Sequence, residues 1–188
     1  MFLAGIADEA GKSIEKQIQA HQELGWSHIE VRNVDGKNLT DVDENTFNEI
    51  AEKLEKAGMN VCSFGSQIAN WARKISGDFN LDVEELKRAI PRMQRLHTKY
   101  IRIMSYPNDN WEDSRWRTEV MRRLEELTKM AEVIKDLLVS GYDGGFSIEP
   151  HMAAVVHLGK TADDPEAAYR LYVEYGRKAQ SLVEKSKI

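Results

Sequence analysis

Short apolar segments and amphipathic helical stripes alternate along this chain from its first residues, and that order leaves few folds open to it. Phe2-Leu3-Ala4-Gly5-Ile6-Ala7 reads as a strand ending at Asp8-Glu9. Ser13 can cap the helix that follows, whose buried stripe is Ile14, Ile18, His21 and Leu24, closed by Gly25. Residues 26–32 form the second strand. Asp41 with Glu44 resembles a capping box, opening a helix lined by Phe47, Ile50, Ala51 and Leu54 up to Gly58. Residues 60–64 are the third strand, and Asp82 with Glu85 opens a third helix that reaches His97, with a kink expected at Pro91. The fourth strand is 100–104, and a fifth, Phe146-Ser147-Ile148, follows the turn-rich run 141–145. Asp164-Pro165 starts a last helix, with Ala168, Leu171, Tyr172, Tyr175, Ala179 and Leu182 on its inner face. Strand and helix in strict turn imply an α/β fold with a parallel sheet and right-handed crossovers.

Residues 114–140 break the rhythm. Trp116, Val120, Leu124, Leu127, Ala131, Ile134 and Leu138 recur at steps of four and three, one unbroken helical stripe. At about 25 residues it is roughly twice the average helix.

The chain of 188 residues reads as a single domain, 1–188, able to bury a sizeable core. A net charge of −5 gives no general attraction to nucleic acid or anionic membranes, so neither is an expected partner. Cys62 is the only cysteine, which excludes an intrachain disulfide, and its apolar surroundings predict a buried, inert thiol. Met1–Ala7 meets Asp8-Glu9 too early for a signal peptide, and no segment is apolar enough to span a membrane. A cytoplasmic location is the expectation.

Glu149-Pro150-His151 ends the fifth strand with a carboxylate and an imidazole, and Pro150 stops the ladder because it has no N–H. In parallel α/β folds the C-terminal strand ends are where catalytic groups gather. A solvated acid and a surface histidine are the plain alternative.

The segments Gly5-Ile6-Ala7-Asp8-Glu9, His28-Ile29-Glu30-Val31-Arg32, Tyr100-Ile101-Arg102-Ile103 and 141–151 together resemble the sugar isomerase/epimerase superfamily. This is the xylose-isomerase-like group of TIM barrels, with hydroxypyruvate isomerases, tagatose epimerases and inosose dehydratases among its members. Such barrels run to about 250 residues in eight βα units. The resemblance implies an internally truncated barrel: strands one to four and eight are present, and five to seven are absent. The long helix then joins a fourth helix to a seventh near 130–134. The implied fold is a truncated, TIM-barrel-like (βα)5 parallel sheet in spatial order 5-1-2-3-4.

The resemblance also implies a divalent metal (Mn, Zn or Mg) held by Glu, Asp, His or Gln, and Glu from strands five to eight. Glu149 matches the last ligand and the other three have no counterpart, so a vestigial, incomplete metal site is expected. Glu149 and Glu30 are the candidate catalytic carboxylates for proton transfer beside a sugar carbonyl. His151, Asp8, Arg32, Trp71 and Trp111 are candidate substrate-binding residues. Glu30 alternates with Ile29 and Val31, which suits a barrel interior, with Arg32 as its natural partner. Ion pairing alone would account for both, and Glu149 could likewise pair with Arg32 or Arg102. The function implied is a sugar or polyol site with isomerase/epimerase-type chemistry; the alternative is a non-catalytic descendant acting through self-association or a protein partner. A five-stranded arc has open edges and exposed inner residues such as Val61, Ile101, Ile103 and Ile148, so a homodimer or higher oligomer is expected.

Overall fold

In the computed structural model the described residues are 2–135 and 145–148, together with helical positions among 166–177 (backbone alone at 131–135 and 145–148). The chain order is β1 (Phe2–Gly5), a 3-10 turn (Ala7–Glu9), α1 (Ile14–Glu23), β2 (His28–Val31), β3 (Asn33–Val34) and β4 (Lys37–Asn38). It continues with α2 (Glu44–Lys56), β5 (Asn60–Gly65), α3 (Asn80–Arg95), β6 (Ile101–Arg102), α4 (Asp113–Lys135) and β7 (Gly145–Ile148). β7 pairs in parallel with β1, from Phe2 opposite Gly145 to Gly5 opposite Ile148. β2, β5 and β6 pair in parallel in that order. A parallel bridge between Ile6 and Glu30 links the β1 side to β2. The fold is an open partial barrel in the order β7-β1-β2-β5-β6, the expected 5-1-2-3-4 arrangement.

The helices pack on one face of this arc because their apolar stripes have the helical period and the strands alternate. Ile14 and Ile18 from α1, Phe47, Ile50 and Leu54 from α2, and Ala89 and Met93 from α3 enclose Ile29, Val31, Val61 and Phe64. Burying one such side chain fully, Phe47 for example, stabilises the fold by about 2 kcal/mol. Val61 therefore faces the helices and not the interior of the arc, correcting the expectation. The cause is a register shift between Ile29 and Glu30, which puts Ser63 opposite Glu30 and Phe64 opposite Val31. Ile101 is half-buried against the same core, whereas Ile103 is 38% exposed as expected. Residues 149–165, with Glu149 and His151, lie outside the described residues.

A second cluster seats the C-terminal helical segment on α1: Tyr169, Tyr172 and Val173 pack against Ala20, Leu24 and Trp26. Gly176 belongs to this contact, since a Cβ there would lie 2.6 Å from Leu24 Cδ1. In a third cluster Val120 and Leu127 of α4 cover Ile68, Ile75, Leu86 and Tyr106. The stripe read in the sequence is thus the buried face of α4 as far as its side chains are described, and the helix is continuous through 130–134.

Local signals held in part. Ser13 caps α1 by accepting from Lys16 N, as expected. The cap of α2 is Asp43, not Asp41; it accepts from Thr46 N at 3.0 Å, and Asp41 instead pairs with Arg88. Asp82 and Glu85 do not cap α3, which begins at Asn80, but are buried on its inner side. Pro91 lies within α3, which continues past it to Arg95. Among the described residues no helix is long and apolar enough to cross a membrane.

Candidate functional site

At the C-terminal end of β1 the chain folds into the 3-10 turn, and its carboxylates Asp8 and Glu9 meet Arg32, just past the end of β2. Arg32 Nε donates to both Asp8 oxygens at 3.1 and 2.9 Å, and Nη2 donates to Glu9 Oε1 at 2.7 Å. Asn33 Nδ2 adds a bond of 2.6 Å to Asp8 Oδ2. Burial opposes the Arg32 charge, yet hydrogen bonds and attraction from Asp8 and Glu9 outweigh it and raise the pKa above its ordinary value. Gly65 permits this packing: a Cβ there would lie 2.7 Å from Arg32 Cβ and 2.9 Å from its Cα.

Glu30, 4% exposed, points away from the helix-packed face that holds Ile29 and Val31. Its partner is Arg102 at the end of β6, whose Nε donates to Oε1 at 2.7 Å. The pairs seen among the described residues thus differ from the expected one: Arg32 joins the β1 turn, and Glu30 on β2 reaches across β5 to Arg102 on β6. β2 ends at Val31, so Arg32 no longer follows the strand's alternation and reaches back to the β1 turn. Cys62 lies close by, with its thiol donating to Ile29 O at 3.4 Å. Burial, with the Glu30 charge adding to it, pushes its pKa up to about 12, so the thiol stays protonated.

The loop after β5 is tied down by two acids of α3. Asp82 accepts from Ala69 N at 3.1 Å and from Tyr106 OH at 2.7 Å, and pairs with Arg73. Glu85 accepts from Gln67 N at 2.7 Å and from Thr40 Oγ1 at 3.4 Å, and also pairs with Arg73. Ala69 adopts a positive φ of 56°, unusual for a residue with a Cβ, and the Asp82 bond helps to hold it there. Burial raises the Tyr106 pKa, and the Asp82 hydrogen bond raises it further. The sequence reading missed this network because Asp82 and Glu85, three apart near a helix start, look like capping residues.

The two loop tryptophans differ. Trp71 is 72% exposed on the loop that Asp82 and Glu85 brace. Trp111 packs against the third cluster, with the Arg115 guanidinium 4.1 Å from its ring centroid, so it supports α4. His21 is fully buried: Nδ1 donates to Gln17 O at 3.0 Å, and Nε2 lies 3.1 Å from the Tyr172 hydroxyl. Burial lowers its pKa, consistent with a neutral structural histidine.

Among the described residues no three His, Cys, Asp or Glu side chains come together as a metal-binding group. Asp8, Glu9 and Glu30 are each bound to an arginine. Glu149, the one residue matched to the ligand set that the resemblance implies, lies outside the described residues. A family model described as a xylose isomerase-like TIM barrel matches residues 18–170, the larger part of the chain. No curated protein matches it.

Proposed function

The chain belongs to the xylose isomerase-like TIM barrel family, and from that premise we propose that it binds a small keto-sugar or polyol at its C-terminal strand ends and exchanges protons beside the sugar carbonyl. The observation that carries this reading is the Glu30–Arg102 pair, at 2.7 Å on the inner face of the arc. It sits one strand from the Asp8–Arg32–Glu9 cluster, at the end of the sheet where parallel α/β folds place their ligands. Carboxylate and guanidinium groups offer acceptors and donors at once, which suits a ligand dense in hydroxyls. Glu30 and Glu149 are the two carboxylates of this proposal, acting as acid and base. His151, Asp8, Arg32 and Trp71 are its ligand-binding residues. Part of the same reading is a cytoplasmic, self-associating protein.

Calorimetric titration with ketoses and polyols, from trioses through hexoses, tests binding. Proton NMR in D2O then tests exchange at the carbon beside the carbonyl. Binding is expected with deuterium uptake, and Glu30→Gln should slow uptake by about a hundredfold. A wild-type protein that binds none of these compounds would sink the reading in favour of a purely self-associating one.

A further inference from the structure

The end of the sheet opposite the proposed sugar site has an opening of its own. The C-terminal turns of α2 and α3 meet there over the start of β5 and enclose a cleft of about 250 Å³. Buried Ala51, Leu54, Val61 and Leu96 form its apolar floor, and Glu55, Arg95 and His97 stand at its rim. Arg95 and Glu55 form an ion pair, with Nη2 donating to Oε2 at 3.2 Å, and both side chains are open to water, at 36% and 54%. That pair leaves the remaining N–H groups of the guanidinium without a partner among the described residues. The His97 imidazole likewise makes no hydrogen bond to them. Acceptors are scarcer. The last-turn carbonyls that would hold a cation already accept: Leu54 O from Met59 N, Glu55 O from Gly58 N, Met93 O from Thr98 N and Gln94 O from His97 N. The cleft therefore offers open donors above an apolar floor. His97 adds an independent observation, because it holds the left-handed conformation, φ 52°, where Gly25 and Gly58 close α1 and α2. A residue with a Cβ is strained there, and of the three helix ends the strained one is the one whose side chain lines the cleft.

We propose that this cleft binds a small carboxylate with an apolar tail, at a site separate from the strand-end sugar site. The tail lies on Leu54, Val61 and Leu96, and its removal from water supplies part of the affinity. The carboxylate accepts from the Arg95 guanidinium, whose planar fork matches its two oxygens, and from the His97 imidazole. Glu55 holds the same guanidinium in the free protein, so it competes with the ligand. The pair is exposed and screened by water, and it therefore gives way at little cost. On this account the imidazole that strains the end of α3 is kept for binding, and the stability it forgoes is the counterpart of that role.

Calorimetric titration of the full chain with hexanoate and phenylpropionate, against the alcohols and amines of the same skeletons, tests this. The carboxylates should bind about tenfold more tightly than either control, the difference that one charge-assisted hydrogen bond makes. Arg95→Gln should weaken carboxylate binding by about the same factor. Glu55→Gln removes the competitor and should tighten it. His97→Gly should lower the affinity while raising the thermal stability of the free protein, a split that a merely structural histidine would not produce. Circular dichroism checks that each variant is folded, and the comparison of carboxylate, alcohol and amine on wild-type protein needs no variant. An alcohol or amine that binds as tightly as its carboxylate would overturn the assignment. So would carboxylate binding that is indifferent to both Arg95→Gln and His97→Gly, or that Glu55→Gln weakens. Wild-type protein that binds none of the carboxylates overturns the site and leaves the sugar reading standing.

Discussion

Glu119 on α4 accepts from Arg122 and from Arg123 Nε at 2.8 Å, while Arg123 Nη2 donates to the carbonyls of Ile75 and Gly77 at 2.8 and 3.1 Å. One carboxylate thereby steadies the arginine that ties α4 to the loop after β5. The Arg122 hydrogen bond, and then Arg123 acting against a burial penalty, hold its pKa at about 2 instead of the ordinary 4.5. A depressed carboxylate pKa stabilises the folded state fully above the ordinary value, and that contribution fades as pH falls from 4.5 toward 2. Glu119→Gln should cost about 1 kcal/mol at neutral pH and flatten the acid side of the stability curve, read by urea denaturation across that range. Superimposable pH curves for the two proteins would contradict this. The spacing of 119, 122 and 123 makes their pairing legible in the sequence; the carbonyls that receive Arg123 depend on where a distant loop comes to rest. The same limit explains the exchange of partners at the strand ends. Glu30 and Arg32, two apart, read as a pair only while the strand continues, and it stops between them.

The three helices α1, α2 and α3 end in the same way. After α1, Gly25 N bonds Gln22 O and Trp26 N bonds His21 O; after α2, Gly58 N bonds Glu55 O and Met59 N bonds Leu54 O. After α3, His97 N bonds Gln94 O and Thr98 N bonds Met93 O, so His97 fills the left-handed position that glycine fills twice, with φ of 52°. A Cβ in that conformation costs about 1 kcal/mol. His97→Gly should therefore stabilise the protein and raise Tm by about 2–4 °C in thermal denaturation. An unchanged or lower Tm would mean that the imidazole's own contacts outweigh the strain. Glycines made the first two stops legible, while a histidine there gave no such signal, and the sequence reading carried α3 through to His97. The β3–β4 hairpin was legible and was missed: Asp35-Gly36 supplies the consecutive positive φ values, 50° and 80°, that a two-residue turn requires. Its strands are only two residues each, too short to show alternation. The inner faces of α1 and α2 were read residue by residue because they bury strict helical stripes. Asp82 and Glu85 were misplaced because a buried acid is visible only once its arginine and the backbone N–H groups it serves are in position.

At the scale of the molecule, the strand order follows from the position of β7. A closed barrel seals its sheet by pairing the last strand with the first, and here β7 lies on β1 although β6 is the strand that precedes it in sequence. The in-phase stripe of α4 supports that economy, since one helix spans the gap with its buried face unbroken as far as its side chains are described. What the arc does not supply, among the described residues, is a neighbour for β6 on the side away from β5. β6 is two residues long and is flanked by Tyr100, 49% exposed, and Ile103, 38% exposed. On the inner face Phe2 stacks on His28 with ring centroids 3.9 Å apart, and both rings are only half-buried. An exposed edge with apolar flanks and an incompletely covered inner face are the features that pairing with a second copy removes. We propose that two arcs associate about a two-fold axis, the commonest symmetry for such pairs. Sedimentation equilibrium should give about twice the chain mass of 21.5 kDa. Ile103→Glu, which puts a charge beside the open edge without touching the helix-packed core, should shift the protein toward monomer and leave its circular dichroism unchanged. A wild-type mass that stays near 21.5 kDa at every concentration would show that the arc is stable with its edge in water.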